Sequence, residues 1–209
     1  MAVAKRLATP TDRTDLLSKL QAGKDERGKP IGREELTAEA LMLLIAGSDT
    51  TSNSTCAIIY YFARNPHVQT KLHKEAQRFG LRLHSTSALG LPRIVPEGGM
   101  SVHGHFFPEG AILSMPSYTI HRDPEVWGDD VEEYKPERWF ERDNVLIQKT
   151  FNPFSLGPRA CVGRNLASLE LQIIVSSILR RFDFVLEDPS AAMVAVTDEG
   201  GFLEEAVEM

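Results

Sequence analysis

The chain has only two cysteines in 209 residues, Cys56 and Cys161, 105 positions apart. So sparse a supply builds neither a disulfide framework nor a cysteine-based metal cluster; a cysteine that matters here acts alone. No run of 18 or more apolar residues occurs, which excludes a membrane-spanning helix within these residues. Basic residues are outnumbered, 23 Lys and Arg against 29 Asp and Glu, for a formal charge of −6. Nucleic acid is therefore not an expected partner. Low-complexity tracts and fixed-period repeats are also lacking, which excludes a solenoid. Lys5 and Arg6 have no apolar stretch behind them, so the first residues do not read as a secretion signal. What remains is an ordinary globular composition, 42% hydrophobic and 25% charged, enough for one good core or two small ones.

Helical patterning dominates the first part of the chain. A short helix is expected over Asp12–Leu20, then a charged loop to Gly32 and a long helix over about residues 34–64, closed by Asn65-Pro66. Val68–Arg82 reads as a further helix. From Leu91 to Ser117, prolines and glycines punctuate short alternating runs, which predicts small strands with tight turns. Asp123–Asn152 lacks periodicity and reads as compact but irregular. Residues 165–181 are apolar on nearly all sides, the pattern of a buried helix. Phe182–Leu186 alternates as a strand, and the acidic tail carries a candidate hairpin around Val194–Val196 and Phe202–Val207. The fold class is mainly α with a small β component.

Cys161 lies in Phe154-Ser155-Leu156-Gly157-Pro158-Arg159-Ala160-Cys161-Val162-Gly163, just ahead of that apolar helix. A thiolate there is stabilised by free backbone N–H groups and the helix dipole. Gly157 permits a tight turn that aims those groups at sulfur, and Gly163 leaves the approach to the backbone open. Arg159 offers a planar fork for a carboxylate. Phe154 is placed to pack near the sulfur and exclude water. A lone cysteine is more often a buried structural residue. Five fixed residues at set spacing, however, arise by chance in a chain this long on the order of once in ten thousand. A papain-like nucleophile lacks its local signature and an evident histidine partner.

The long helix has a second unusual feature. From Gly47 through Ser48-Asp49-Thr50-Thr51-Ser52-Asn53-Ser54-Thr55, nine poor helix formers follow one another. Together they cost about 4–5 kcal/mol in propensity against alanine. Local rules broken inside a regular element usually mark function, although a plain loop between two helices reads the same way.

Both segments resemble the cytochrome P-450 family of haem-thiolate monooxygenases: the cysteine loop its haem-binding signature, and Ala46–Thr51 its oxygen-activating motif. The resemblance implies the C-terminal half of that fold, with haem b held by Cys161 as axial ligand to the iron. It further implies contacts from Phe154, Arg159 and Gly163, a propionate partner in Arg93, and catalytic roles for Asp49 and Thr50 on the far side of the haem. Electrons would come from NADPH through a separate cytochrome reductase. The stretch with Lys149, Arg159 and Arg164 as its only charges from Val145 to Leu169 suits such an acidic partner. Arg82–Gly90 and the strand after it are similar to fungal benzoate 4-monooxygenases, which implies O2 and a benzoate-like substrate hydroxylated at the para position. Such enzymes sit at the endoplasmic reticulum membrane; without an anchor segment, this chain is expected in the cytoplasm.

One departure stands out. The family pairs a Glu with an Arg three residues on, and a downstream Pro-Glu-Arg completes the cluster. Pro136-Glu137-Arg138 supplies the second part and Arg82 the first arginine, but the carboxylate position is Phe79. Glu75 fits literally, with Arg78, yet belongs to the preceding helix by context. Only sixteen positions separate Pro66 from Arg82, about 24 Å if helical, where the family places two further helical pieces. The expectation is an internal deletion, in a chain that also omits the family's N-terminal half, leaving Arg82 and Arg138 adjacent with no carboxylate between them. Alternatives to an oxygenase are a non-catalytic remnant with weak or no haem binding, and a haem sensor using the same thiolate.

Overall fold

The computed structural model describes residues 2–9, 11–25, 27–65, 78, 80–135, 137–141, 144–188, 190, 195–196 and 202–203. It divides into two compact units, Met1–Thr50 and Thr51–Met209.

In the first unit, α1 spans Ala2–Ala8, an element the sequence did not announce, and α2 spans Leu16–Gln21. Asp15 caps α2 by accepting the Ser18 N–H at 2.9 Å and also meets Arg6 at 3.2 Å. Helix α3, Arg33–Arg64, begins in this unit and continues unbroken into the next, so the poor helix formers at its centre do not open a loop. Their hydroxyls turn back on the helix. Thr50 Oγ1 donates to the Ala46 carbonyl at 2.6 Å and Thr55 Oγ1 to the Thr51 carbonyl at 2.8 Å.

In the second unit, residues 78 and 80–83 are helical; Glu75 and Phe79, with most of the expected Val68–Arg82 helix, lie outside the described residues. The predicted strands are present: β1 (Arg93–Ile94) pairs antiparallel with β4 (Ile112–Leu113), and β2 (Met100–Val102) with β3 (His105–Phe107). A short helix α4 (Ser117–Ile120) follows, and the expected irregular segment Asp123–Asn152 instead holds three more: α5 (Pro124–Trp127), α6 (Arg138–Glu141) and α7 (Asn144–Thr150). Elements of four to seven residues are too short to show a helical period, which is why the sequence hides them. A 3₁₀ turn, Gly157–Arg159, leads to α8, Arg164–Leu179. The tail hairpin forms between β5 (Ala195–Val196) and β6 (Phe202–Leu203).

Two expectations fail. Phe182–Leu186 forms no strand, because an alternating pattern needs a partner ladder and none is offered among the described residues. Helix α8 is not buried all round: Leu171 and Val175 are, while Leu166, Leu169 and Ile173 stand exposed. The Leu171–Val175–Leu179 side joins Ile58, Phe62 and Leu81 in one core cluster. A second cluster gathers Trp127, Trp139 and Ile147, and Phe151 packs against both. No helix among the described residues is long and apolar enough to cross a membrane.

Candidate functional site

Cys161 sits on the loop between Phe151 and α8, with its side chain exposed. Two anchors hold this loop. Phe154 packs against the Ile58–Phe62–Leu171 core, and its carbonyl accepts the Cys161 N–H at 2.8 Å. Between them the chain reverses through Ser155 at φ 59° and Gly157 at φ 70°. Both angles are left-handed, a region in which glycine alone carries no steric cost. A Cβ at Gly157 would meet nothing within 4 Å, and one at Gly163 only the Cys161 sulfur at 3.9 Å. Gly163 is the N-cap of α8, so Cys161 precedes the first helical residue by three.

Arg82 and Arg138 are 0% and 1% exposed and belong to one buried cluster with Arg122. The expectation that they lack a carboxylate is overturned for Arg138. Asp130 Oδ1 accepts from its Nη1 at 2.6 Å, and the Trp127 and Asp130 carbonyls accept from the same guanidinium. Arg82 donates to the His121 carbonyl at 2.9 Å and the Val131 carbonyl at 2.6 Å, and lies over the Trp127 ring. Arg122 donates to Glu132 at 2.6 Å and to the Leu83 carbonyl at 2.8 Å. One short segment, Asp130-Val131-Glu132, thus serves three arginines in turn. Nothing in a sequence motif announced this; the signal was the acidic run Asp129–Glu133, interrupted by one valine. Burial foremost, then the neighbouring Arg138 and Arg122, pushes Arg82 down to about 9, still protonated at neutral pH.

His121, also missed by sequence reasoning, is fully buried between the rings of Trp127 and Phe151. Its Nε2 accepts the Asn152 N–H at 3.2 Å. Burial, and next the Arg82 charge, pushes its pKa down to about 4, so the ring is neutral near pH 7.

The other expected residues are all exposed. Arg93 is exposed on β1 and donates to the adjacent Pro92 carbonyl at 2.9 Å, and Arg159 is exposed at the end of the 3₁₀ turn. Asp49 and Thr50 lie in the first unit, exposed on α3, with Ser48 Oγ 3.5 Å from Asp49 Oδ1. A Cβ at Gly47 would meet nothing within 4 Å.

The mainly helical fold and the cysteine loop fit the class of haem-thiolate proteins that the sequence resembles. The chain belongs to the cytochrome P-450 family, whose model matches residues 3–79 and 80–203. It is 46% identical over 203 positions to benzoate 4-monooxygenase bphA of Aspergillus niger, covering 84% of this chain and 39% of that protein. It is 32% identical over 220 positions to the trichothecene C-15 hydroxylase of Fusarium sporotrichioides, covering 91% of this chain and 44% of that one. The chain thus spans about two fifths of the length of these relatives. The family match breaks between Phe79 and Gly80, where the deletion was expected. In the first alignment, 84% of 209 residues is about 176, about 27 fewer than the 203 aligned positions.

Members of this family carry haem, and the residues present fit one. An exposed sulfur is flanked in the chain by Val162 at 92% exposure and by a glycine whose added Cβ would touch only that sulfur, and the helix that follows carries uncovered apolar side chains at Leu166 and Leu169. A flat apolar macrocycle needs an open approach to sulfur and apolar ground, and both are available.

Proposed function

We propose that the chain holds haem through Cys161, and that it derives from an enzyme inserting one oxygen atom of O2 into benzoate at the para position. The observation that carries the reading is the exposed Cys161 on a loop pinned through Phe154, with open space at Gly157 and Gly163. When bound, haem with a thiolate ligand would supply an electron-rich iron that favours O–O cleavage. The chain's own residues do the rest. Cys161 would bind the iron, and Arg159 and Arg93 would offer guanidinium forks to the propionates. Phe154 keeps water from the sulfur. Thr50 and Asp49 would hold and deliver protons to bound oxygen. A reductase carrying NADPH-derived electrons is the partner, and the benzoate-like substrate rests on the name of one relative.

The break in the family match between Phe79 and Gly80, the roughly 27 aligned positions without counterpart in this chain, and the uncovered apolar side of α8 favour a second reading for this polypeptide: a non-catalytic remnant that binds haem weakly or not at all. One experiment addresses both. Haem is titrated into the purified chain and the reduced carbon monoxide complex is recorded. The reading expects a thiolate-type Soret band that Cys161→Ala removes and Cys56→Ala leaves in place. A band surviving in Cys161→Ala overturns the ligand assignment; no haem uptake at all favours the remnant.

A further inference from the structure

We infer that His121 is a positioning residue for the cysteine loop: a buried neutral acceptor that fixes Asn152, where the loop begins, to the arginine cluster. The inference rests on the haem-thiolate reading for its purpose, but on separate atoms for its geometry. The His121 backbone carbonyl accepts from Arg82, and its ring Nε2 accepts the Asn152 N–H. One residue therefore joins the most deeply buried cation to the first residues of the loop. From Asn152 the order continues along the chain. The Asn152 carbonyl accepts the Ser155 N–H at 2.9 Å, closing a turn, and the Phe154 carbonyl then accepts the Cys161 N–H. The loop is held at its entry by His121, in its middle by Phe154, and at its exit by α8.

The ring's place between Trp127 and Phe151 shows why a histidine serves here. A purely apolar side chain would fill the volume equally well and leave the Asn152 N–H without an acceptor. Leaving that half-buried donor unmet loses the hydrogen bond and part of its desolvation, a loss the histidine avoids although its own Nδ1 is buried without a hydrogen-bond partner among the described residues. The acceptor role requires the proton on Nδ1, and burial between two aromatic rings keeps the imidazole neutral. Arg82 and Arg122 are the charged groups that act on it, and both disfavour a second proton.

The test compares His121→Leu, which keeps volume without an acceptor, with His121→Gln, whose amide oxygen can still accept. Amide hydrogen exchange is followed in the full chain with haem, in peptides from 152–163 and in the hairpin region 93–113. The expected result is exchange about tenfold faster in 152–163 for His121→Leu, no change in 93–113, and near-native rates in both for His121→Gln. The thiolate-type band should weaken in His121→Leu and persist in His121→Gln. Unchanged loop exchange in His121→Leu overturns the inference. So does equal acceleration in both regions, which is the mark of general unfolding, or failure of Gln to restore the loop. If Cys161→Ser keeps the thiolate-type band, the haem reading fails on its own, while the exchange pattern still decides the role of His121.

Discussion

Arg138 and Asp130 meet at 2.6 Å, a guanidinium that is 1% exposed against a carboxylate that is 27% exposed. The pair stands where the sequence offered only an unpartnered cation. Arg138 holds Asp130 well below the usual carboxylate range through their hydrogen bond, and Lys135 adds to the effect from 3.5 Å. Asp130→Asn removes the charge opposite a buried arginine and should lower stability by about 2–3 kcal/mol. That is below the 3–5 of a fully buried pair, because Asp130 is partly solvated. Lys135→Ala, touching the exposed side of the same carboxylate, should change it by about 0.5 kcal/mol or less. Urea midpoints of the two variants check this; equal losses would mean that the buried arm of the pair is not the stronger one.

The glycines of the second unit separate two physical reasons for lacking a side chain. At Gly80 an added Cβ would stand 2.4 Å from Ile58 Cγ1 and 3.3 Å from the Ile58 Cα, so Gly80→Ala overpacks the contact with α3. Destabilisation of about 1–3 kcal/mol is expected from thermal or urea unfolding. At Gly157 there is room, but φ is 70°. Gly157→Ala should therefore cost about 1 kcal/mol of backbone strain, with haem retention falling more than global stability. A Gly157→Ala protein that unfolds earlier than Gly80→Ala would contradict this ordering.

How much of this was legible beforehand depended on the scale of the signal. Helix α3 was readable because Leu41, Leu44, Ile45, Ile59 and Phe62 keep an apolar helical spacing over many turns, and the strands because Gly98, Gly99, Gly104 and Gly110 mark each turn, all four at positive φ. The cysteine loop was readable because its residues are contiguous. The supports of that loop were not. Asp130, His121 and Asn152 act across 8 to 31 positions of sequence, through backbone carbonyls and one ring nitrogen that no local pattern encodes. Helix α8 misled for a related reason: an all-round apolar surface predicts burial, but burial also requires something to lie against.

Acid should loosen the molecule in a defined window. The His121 pKa is pushed from 6.5 to about 4 in the folded chain. Between those values the unfolded chain binds the extra proton and the folded one does not, so stability falls as pH falls from 6.5 towards 4. The full effect is about 3 kcal/mol for a shift of this size. His84, its pKa lowered by burial and then by Arg122, acts with the same sign, and Asp130 extends the loss below the usual carboxylate range. Urea unfolding at pH 4, 5, 6 and 7 should show this slope, and His121→Gln should flatten most of it. A stability independent of pH across the window would show that His121 is not held neutral.

The last expectation concerns turnover. Hydroxylation requires the haem held rigidly, water excluded and substrate fixed within reach of the oxidant. The cysteine loop supplies one wall of such a site, and it is well anchored at Phe154 and Asn152. Yet Leu166, Leu169 and Ile173 of α8 and Leu41, Met42, Leu44 and Ile45 of α3 stand exposed, and an exposed apolar face neither excludes water nor shapes a pocket. The family match breaks between Phe79 and Gly80, two residues before the buried Arg82, and about 27 positions aligned to the Aspergillus enzyme have no counterpart in this chain. The chain as it stands is therefore expected to give no 4-hydroxybenzoate when supplied with haem, a reductase, NADPH and benzoate. Inserting the relative's missing residues between Phe79 and Gly80 should raise haem occupancy without restoring turnover, because the uncovered helix faces remain. Product above a Cys161→Ala control in the unaltered chain would refute the expectation, and would mean that Asp130 and the backbone carbonyls around Arg82 suffice to organise the site.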